Sequence, residues 1–241
     1  MKNIRTFLLV SVCVGSLIGS PPLLADHHES HDNPLTKEEQ AEGWVLLFDG
    51  KSLDGWRNYR GDDKIAAGWV AEDGVLKKQR GVKAGNIITK KKYSDFELSW
   101  EWNVESKGNN GIKYLVIEER SGAPGHEYQL LDDDGHPDGK VGAKRQTASL
   151  YDIFPPVADK PLNKPGQWNH SKIVIKGMDV QHWLNGKLVL EYTLESPELK
   201  AGIATSKFKN EKGFGDKVDG FIMITDHGDE CLFRNMKIRE L

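Results

Sequence analysis

Cysteine is almost absent, with two residues in 241, Cys13 and Cys231. One intrachain bridge is the most such a chain can form, which excludes the disulfide-built scaffolds. An excess of basic residues is lacking too: 33 Lys and Arg face 36 Asp and Glu, for a formal charge of −3. Counterion release, the main drive of nucleic-acid binding, has no source here, so no nucleic-acid partner is expected. No apolar run approaches the roughly 20 residues of a membrane-spanning helix. There is no P-loop, nucleophile elbow, His-Glu-x-x-His or paired Cys-x-x-Cys. What is present, 38% hydrophobic and 9% aromatic residues, is too apolar for a disordered chain.

Residues 1–25 read as a secretory signal. Lys2 and Arg5 begin it, residues 7–18 form its apolar centre, Pro21 and Pro22 break it, and Ala25 offers a small residue at the cut. Cleavage there removes both early basic residues and takes the formal charge from −3 to −5. It also removes Cys13 and leaves Cys231 unpartnered within the chain. The alternative is an uncleaved N-terminal anchor. The expectation is an exported protein, periplasmic or extracellular, with no membrane span after processing. Residues 26–40 read as a polar linker, in which His27, His28 and His31 lack a second cluster to close a metal site. Residues 41–241 read as a single domain.

Thr36-Lys37-Glu38-Glu39 has the pattern of a capping box and predicts one short helix ending near Gly43. Beyond it, helical periodicity gives way to short strand signals. Segments 44–48, 96–104, 112–117, 127–131, 149–153, 172–176, 180–184, 187–194, 221–225 and 232–238 read as strands. Asp73-Gly74 and Asn185-Gly186 mark hairpins of the type that needs two left-handed residues. About a dozen strands with almost no helix predict an all-β sandwich or barrel.

Few residues stand out for chemistry. In the acidic run 132–139, counting Asp134 as the first position of a calcium loop puts Arg145 where a bidentate Glu belongs, so the EF-hand reading fails. A different oxygen-rich metal site competes there with a solvated Asp/Gly turn. Glu127 and Gln129 share a strand face opposite Tyr128 and Leu130, which suggests a polar concavity suited to sugar hydroxyls. Trp168 sits in a Pro-Gly turn, a place for a ring beneath a sugar, whereas most tryptophans belong to the core. His182 alternates with Val180 and Leu184 as a buried histidine would, and Cys231 reads as a small core residue. His227, in Asp226-His227-Gly228-Asp229 between two strands, is the best general acid/base candidate, held by neighbouring carboxylates.

Taken together, GWVLLFDGKSLDGW (43–56), GWVAEDGVL (68–76), YSDFELSWEW (93–102), NNGIKY (109–114), HEYQLLDD (126–133), ASLYDIFPP (148–156), PGQWNHSKIVIKG (165–177), VQHWLNGKLVLEY (180–192), SKF (206–208), GFG (213–215) and DHGDECLFRNMKIREL (226–241) resemble the 3-keto-disaccharide hydrolase family. That family is also described as 3-keto-glucoside 1,2-lyase/3-keto-2-hydroxy-glucal 2-hydratase. The resemblance implies a concanavalin A-like jelly-roll β-sandwich. It also implies cleavage of 3-keto-glycosides by C2 deprotonation, β-elimination and hydration.

Under it, His227 and Asp132 suit proton transfer, Lys207 or Arg145 suits the enolate oxygen, and Asn110, Glu127, Gln129, Tyr151 and Trp168 suit substrate binding. No cofactor is required, with a divalent metal as an alternative electrophile. A separate oxidoreductase would supply the keto sugar. Thr225 stands where the family commonly has Gln, and Ala148 where it often has Gly. Two other readings fit the same architecture: a non-catalytic carbohydrate-binding module, and a conventional retaining glycosidase. The latter needs two carboxylates about 5 Å apart, and the Glu-x-Asp-x-x-Glu pattern of jelly-roll glucanases is absent.

Overall fold

The computed structural model describes residues 34–120 and 122–241. The proposed export signal and the three-histidine segment lie outside them. The chain enters through α1 (Lys37–Ala41), whose capping box forms as read: Thr36 Oγ1 accepts from Glu39 N at 3.1 Å and Glu39 Oε2 accepts from Thr36 N at 3.0 Å.

Strands then dominate: β1 (Val45–Leu46), β2 (Trp56–Asn58), β3 (Trp69–Glu72), β4 (Val75–Lys78), β5 (Ile87–Thr89), β6 (Phe96–Val104), β7 (Asn109–Val116), β8 (His126–Leu131), β9 (Asn169–Lys176), β10 (Asp179–Leu184) and β11 (Lys187–Thr193). After α2 (Pro197–Ala204) come β12 (Phe221–Ile224) and β13 (Cys231–Glu240). One sheet runs β11-β10-β9-β6-β13-β4-β3, with β1 paired to β13; the other runs β2-β5-β12-β7-β8. Both expected hairpins are present, with Asp73 and Gly74 at φ 50° and 75°, and Asn185 and Gly186 at φ 45° and 83°.

The two layers meet through aromatic residues. Trp100 of β6 packs edge-on against Tyr128 of β8, centroids 5.1 Å apart, and the Tyr128 hydroxyl lies 2.9 Å from Ser171 Oγ of β9. Trp56, Trp100 and Trp102 are fully buried and Trp44 and Trp69 nearly so, so most of the seven tryptophans serve the core. Glu97 and Ser99, on the outer face of β6, are covered as well: Glu97 is clasped by Arg239 and Lys172, and Ser99 hydrogen-bonds His170.

Three features depart from the sequence expectation. Segment 149–153 is no strand; Leu150 makes only isolated bridges to Tyr128 and Phe154, because Ala148 and Asp152 take φ of 67° and 62° and break the extended run. β2 and β5 are three residues each, too short for alternation to register. A second helix, α2, is also present; Ser196 caps it by accepting from Leu199 N at 3.1 Å, and Pro197 fills its first turn.

The layer interface also buries a polar chain. The Tyr114 hydroxyl lies 2.7 Å from both His182 Nε2 and Tyr192 Oη, Tyr192 Oη lies 2.7 Å from His126 Nδ1, and His182 Nδ1 donates to Ala148 O at 3.0 Å. Burial holds both rings neutral, pushing His182 down to about 4 and His126 to about 3. In the unfolded chain they titrate near 6.5, so their contribution is complete above that pH and is lost as pH falls toward the folded values. Between pH 7 and pH 5.5 the pair is expected to remove roughly 2–3 kcal/mol of stability. His170 and His227, also lowered by burial, act in the same direction. Urea unfolding at the two pH values measures this; an unchanged midpoint contradicts it.

Candidate functional site

The alternation on β8 holds: Tyr128 and Leu130 point into the sandwich, so Glu127 and Gln129 lie on the outer face of the five-stranded sheet. Antiparallel register sets Lys113 of β7 opposite Glu127 and Gly111 opposite Gln129. Lys113 Nζ approaches Glu127 Oε2 at 3.4 Å, and Gln129 Nε2 donates to Asn109 Oδ1 at 3.1 Å. Gly111 has a steric reason: a Cβ there would stand 2.4 Å from Glu127 Oε1. The carboxylate therefore lies over bare backbone, and a side chain at 111 would displace it. Lys113 was absent from the sequence candidates, although alternation from Ile112 and Tyr114 would have placed it on this face.

His227 reaches the same carboxylate from the loop after β12, its Nε2 4.0 Å from Glu127 Oε1. The expectation that adjacent acids hold the ring is corrected, because they clamp the loop instead. Asp226 pairs with the fully buried Lys78 at 2.9 Å, and its Oδ2 accepts from Ala84 N at 2.7 Å and Gly85 N at 2.8 Å. Asp229 accepts from Asn109 N at 3.0 Å. Desolvation lowers the His227 pKa below the ordinary 6.5, with Glu127 opposing the shift, which favours the neutral ring.

A third group comes from the long loop after β8 and the turn after α2. Arg145 Nη1 pairs with Asp138 at 2.9 Å and its Nε with Asp152 at 2.7 Å. The Tyr151 hydroxyl donates to the other Asp138 oxygen. Asp152 also accepts from Lys207 N at 2.8 Å, which fixes the root of that side chain, and Lys207 Nζ stands 4.0 Å from the Tyr151 ring centroid. Asp138 and Asp152 escaped the sequence reading because only the folded loop joins them to Arg145. Glu127, Tyr151, Lys207, Arg145 and His227 thus converge, with Gln129 next along the same face of β8 and Arg145 committed to two carboxylates.

The remaining candidates lie elsewhere. Both Asp132 oxygens are engaged by backbone amides, Lys107 N at 2.7 Å and Gly135 N at 2.9 Å, so this side chain ties its loop to the β6–β7 turn. Asn110 is fully buried; it donates to Thr225 O and accepts from Gly111 N, both at 2.8 Å, so it joins β7 to the root of the His227 loop. Trp168 is not brought to the cluster. Its ring lies 4.1 Å beneath Arg234, which pairs with Glu101 on the outer face of the other sheet. Thr225 spends its hydroxyl on Gly111 O at 3.3 Å, well inside the fold.

In the acidic run, Asp133 accepts from Thr147 N at 2.7 Å and pairs with Lys160 at 2.8 Å, so its carboxylate serves the loop. Among the described residues no three His, Cys, Asp or Glu side chains group as a metal site. A groove at the β11 edge, lined by Phe154, Pro155, Leu190 and Tyr192 with Glu191 and Glu198 among its polar residues, has no basic residue in its lining and shares no residue with this cluster.

Two antiparallel sheets with a polar, ionisable patch on one outer face define a jelly-roll sandwich of the concanavalin A-like kind. A Bacillus licheniformis β-glucanase shares this fold, at TM-score 0.50 and 10% identity over 83% of this chain and 98% of that one. The chain belongs to the 3-keto-alpha-glucoside-1,2-lyase-like domain family, whose profile matches residues 43–239. It is 38% identical to a 3-keto-disaccharide hydrolase of Bacteroides thetaiotaomicron, over 83% of this chain and 79% of the relative. It also resembles a Parabacteroides distasonis protein proposed to be a glycosyl hydrolase, with TM-score 0.78 and 37% identity over 87% of this chain and 99% of that one. No helix among the described residues is long and apolar enough to cross a membrane.

Proposed function

We propose that this chain is a carbohydrate-active enzyme that cleaves 3-keto-glycosides by elimination and hydration. The observation that carries the reading is the His227 imidazole, its Nε2 4.0 Å from the carboxylate of Glu127, on a face that also presents the Lys207 ammonium. Family membership and the named Bacteroides relative support the substrate class.

A ketone at C3 acidifies the C2–H bond, since the electron pair left behind delocalises onto the ketone oxygen. His227, as the base, takes that proton, and Lys207 stabilises the enolate oxygen. The pair then returns to form C1=C2 as the C1–O bond breaks, and the departing alkoxide is protonated. Water adds to C1 and a proton to C2, so the net change is glycoside plus water to 3-keto sugar plus alcohol. Glu127 orients the imidazole and stabilises its charged form. Gln129, buried and bonded to Asn109, supports the strand face that carries Glu127, while Arg145 acts through Asp138 and Asp152 to position Tyr151 and Lys207. Asp132 and Asn110 enter this scheme as loop anchors. Export under residues 1–25, and an oxidoreductase that oxidises C3 beforehand, belong to the same proposal.

A conventional retaining mechanism is less well served, because the two other carboxylates of this cluster, Asp138 and Asp152, are both occupied by Arg145. The test compares a 3-keto-glucoside with its unoxidised parent. Aglycone release with transient enone absorbance is expected from the keto compound alone. The kcat/KM profile should fall on the acid side, as His227 becomes protonated, with an apparent pKa below 6.5. Binding of both compounds without release from either would instead establish a binding module.

A further inference from the structure

Three cations meet at this face, and they are not equivalent. Lys113 pairs with Glu127 at 3.4 Å, and Arg145 is held by Asp138 and Asp152. The Lys207 ammonium alone among these three forms no ion pair within 4.0 Å with a described residue; its nearest defined partner is the Tyr151 ring. Its backbone is fixed by Asp152, so the side chain leaves a defined root; its ammonium lies over the Tyr151 ring and within electrostatic reach of Glu127. An amine beside other cations and beside a ketone-bearing substrate has a chemistry that a fixed point charge lacks: it can condense with the carbonyl.

We infer that in the lyase reaction proposed above Lys207 acts as a nucleophile, forming a Schiff base with C3 of the 3-keto sugar in place of a charge contact to the enolate oxygen. Nζ attacks C3, the carbonyl oxygen leaves as water after proton transfer, and the product is a C3 iminium. That iminium withdraws electrons from C2 more strongly than a neutral ketone. His227 takes the C2 proton, the pair enters the C2=C3 bond of an enamine, and expulsion of the C1 alkoxide regenerates the iminium in conjugation with C1=C2. Water adds at C1, C2 is reprotonated, and a second water hydrolyses the iminium to return the C3 ketone and the free amine. One water is released and two are consumed, so the net stoichiometry remains one water per glycoside. No oxidant or further co-reactant is needed. Burial lowers the Lys207 pKa, with Glu127 and Asp152 opposing and Lys113 and Arg145 assisting, which raises the fraction of free amine.

The proposal rests on the lyase reading, and the experiment separates the two. The full chain is incubated with a 3-keto-glucoside and sodium cyanoborohydride, which reduces an iminium to a stable amine, and is then mapped by peptide mass spectrometry. The expected result is one sugar adduct on the Lys207 peptide, in excess of any adduct on surface lysines, with parallel loss of aglycone release. Lys207→Arg keeps the positive charge but cannot form an imine; it should lose both the adduct and at least 100-fold in kcat, with its far-ultraviolet spectrum intact. Aglycone release without an adduct at Lys207, or a Lys207→Arg enzyme within a few-fold of the parent, overturns the Schiff base and leaves the lyase reading standing. No aglycone release from the keto substrate overturns both.

Discussion

His227→Ala is expected to lower kcat on a 3-keto-glucoside by about 10²–10⁴-fold, the range that a positioned acid or base supplies, while leaving the urea midpoint near that of the parent. The first half follows from the site: the imidazole lies 4.0 Å from Glu127, and its pKa is lowered below the ordinary value, which favours the base form. The second half follows from the anchors. Asp226 and Asp229 bond backbone amides and Lys78, and Asn110 bonds Thr225 O, so truncating the ring removes none of the contacts that set the loop. Steady-state kinetics beside a urea titration measures both. A variant with unchanged kcat retires His227 as the base, and one that unfolds early assigns the ring a structural role.

Lys78→Met is expected to have the largest effect on stability. The Lys78 side chain is fully buried, and its Nζ contacts Asp226 Oδ1 at 2.9 Å, Gln79 O at 2.9 Å and Val82 O at 2.7 Å. Methionine matches the stem and removes the charge, leaving a carboxylate that is 5% exposed without its cation. Losing one partner of a buried pair typically costs about 3–5 kcal/mol. The backbone amides of Ala84, Gly85 and Gly228 still serve Asp226, which places the expectation near the lower end. Because Asp226 precedes His227, kcat should fall as well, by less than in His227→Ala. Urea unfolding at pH 7 reads the stability term; a change below about 1 kcal/mol, the range of exposed pairs, would show that the pair contributes as a solvated one.

The architecture was legible where strands alternate over several residues and where turns require left-handed pairs, as at Asp73-Gly74 and Asn185-Gly186. It was not legible at β2 and β5, whose three residues take their conformation from neighbours across the sheet. Segment 149–153 has strand-forming residues, yet its course is set by tertiary contacts, including Tyr151 N bonding to Glu127 O and Asp152 N to Lys144 O. At the site, the polar face of β8 followed from period-two patterning alone. Alternation from Ile112 and Tyr114 sets the side of β7 on which Lys113 lies, but its place opposite Glu127 required the β7–β8 register. Asp132 and Asn110 illustrate the opposite problem: both are polar residues in family motifs, and both are used up in tying loops together. Trp168 looked suited to a sugar because its turn is exposed, but sequence alone could not show which outer face that turn occupies.

The central claim is that the C2–H bond breaks during cleavage, which neither a lectin-like module nor an ordinary glycosidase requires. The direct measurement is turnover of a 3-keto-glucoside in deuterium oxide, with the C2 position of the released sugar read by NMR or mass spectrometry against an enzyme-free control for spontaneous exchange. Elimination and hydration predict one deuterium at C2 for every aglycone released, from the earliest time points. Release of the aglycone with C2–H retained beyond that control would contradict the account.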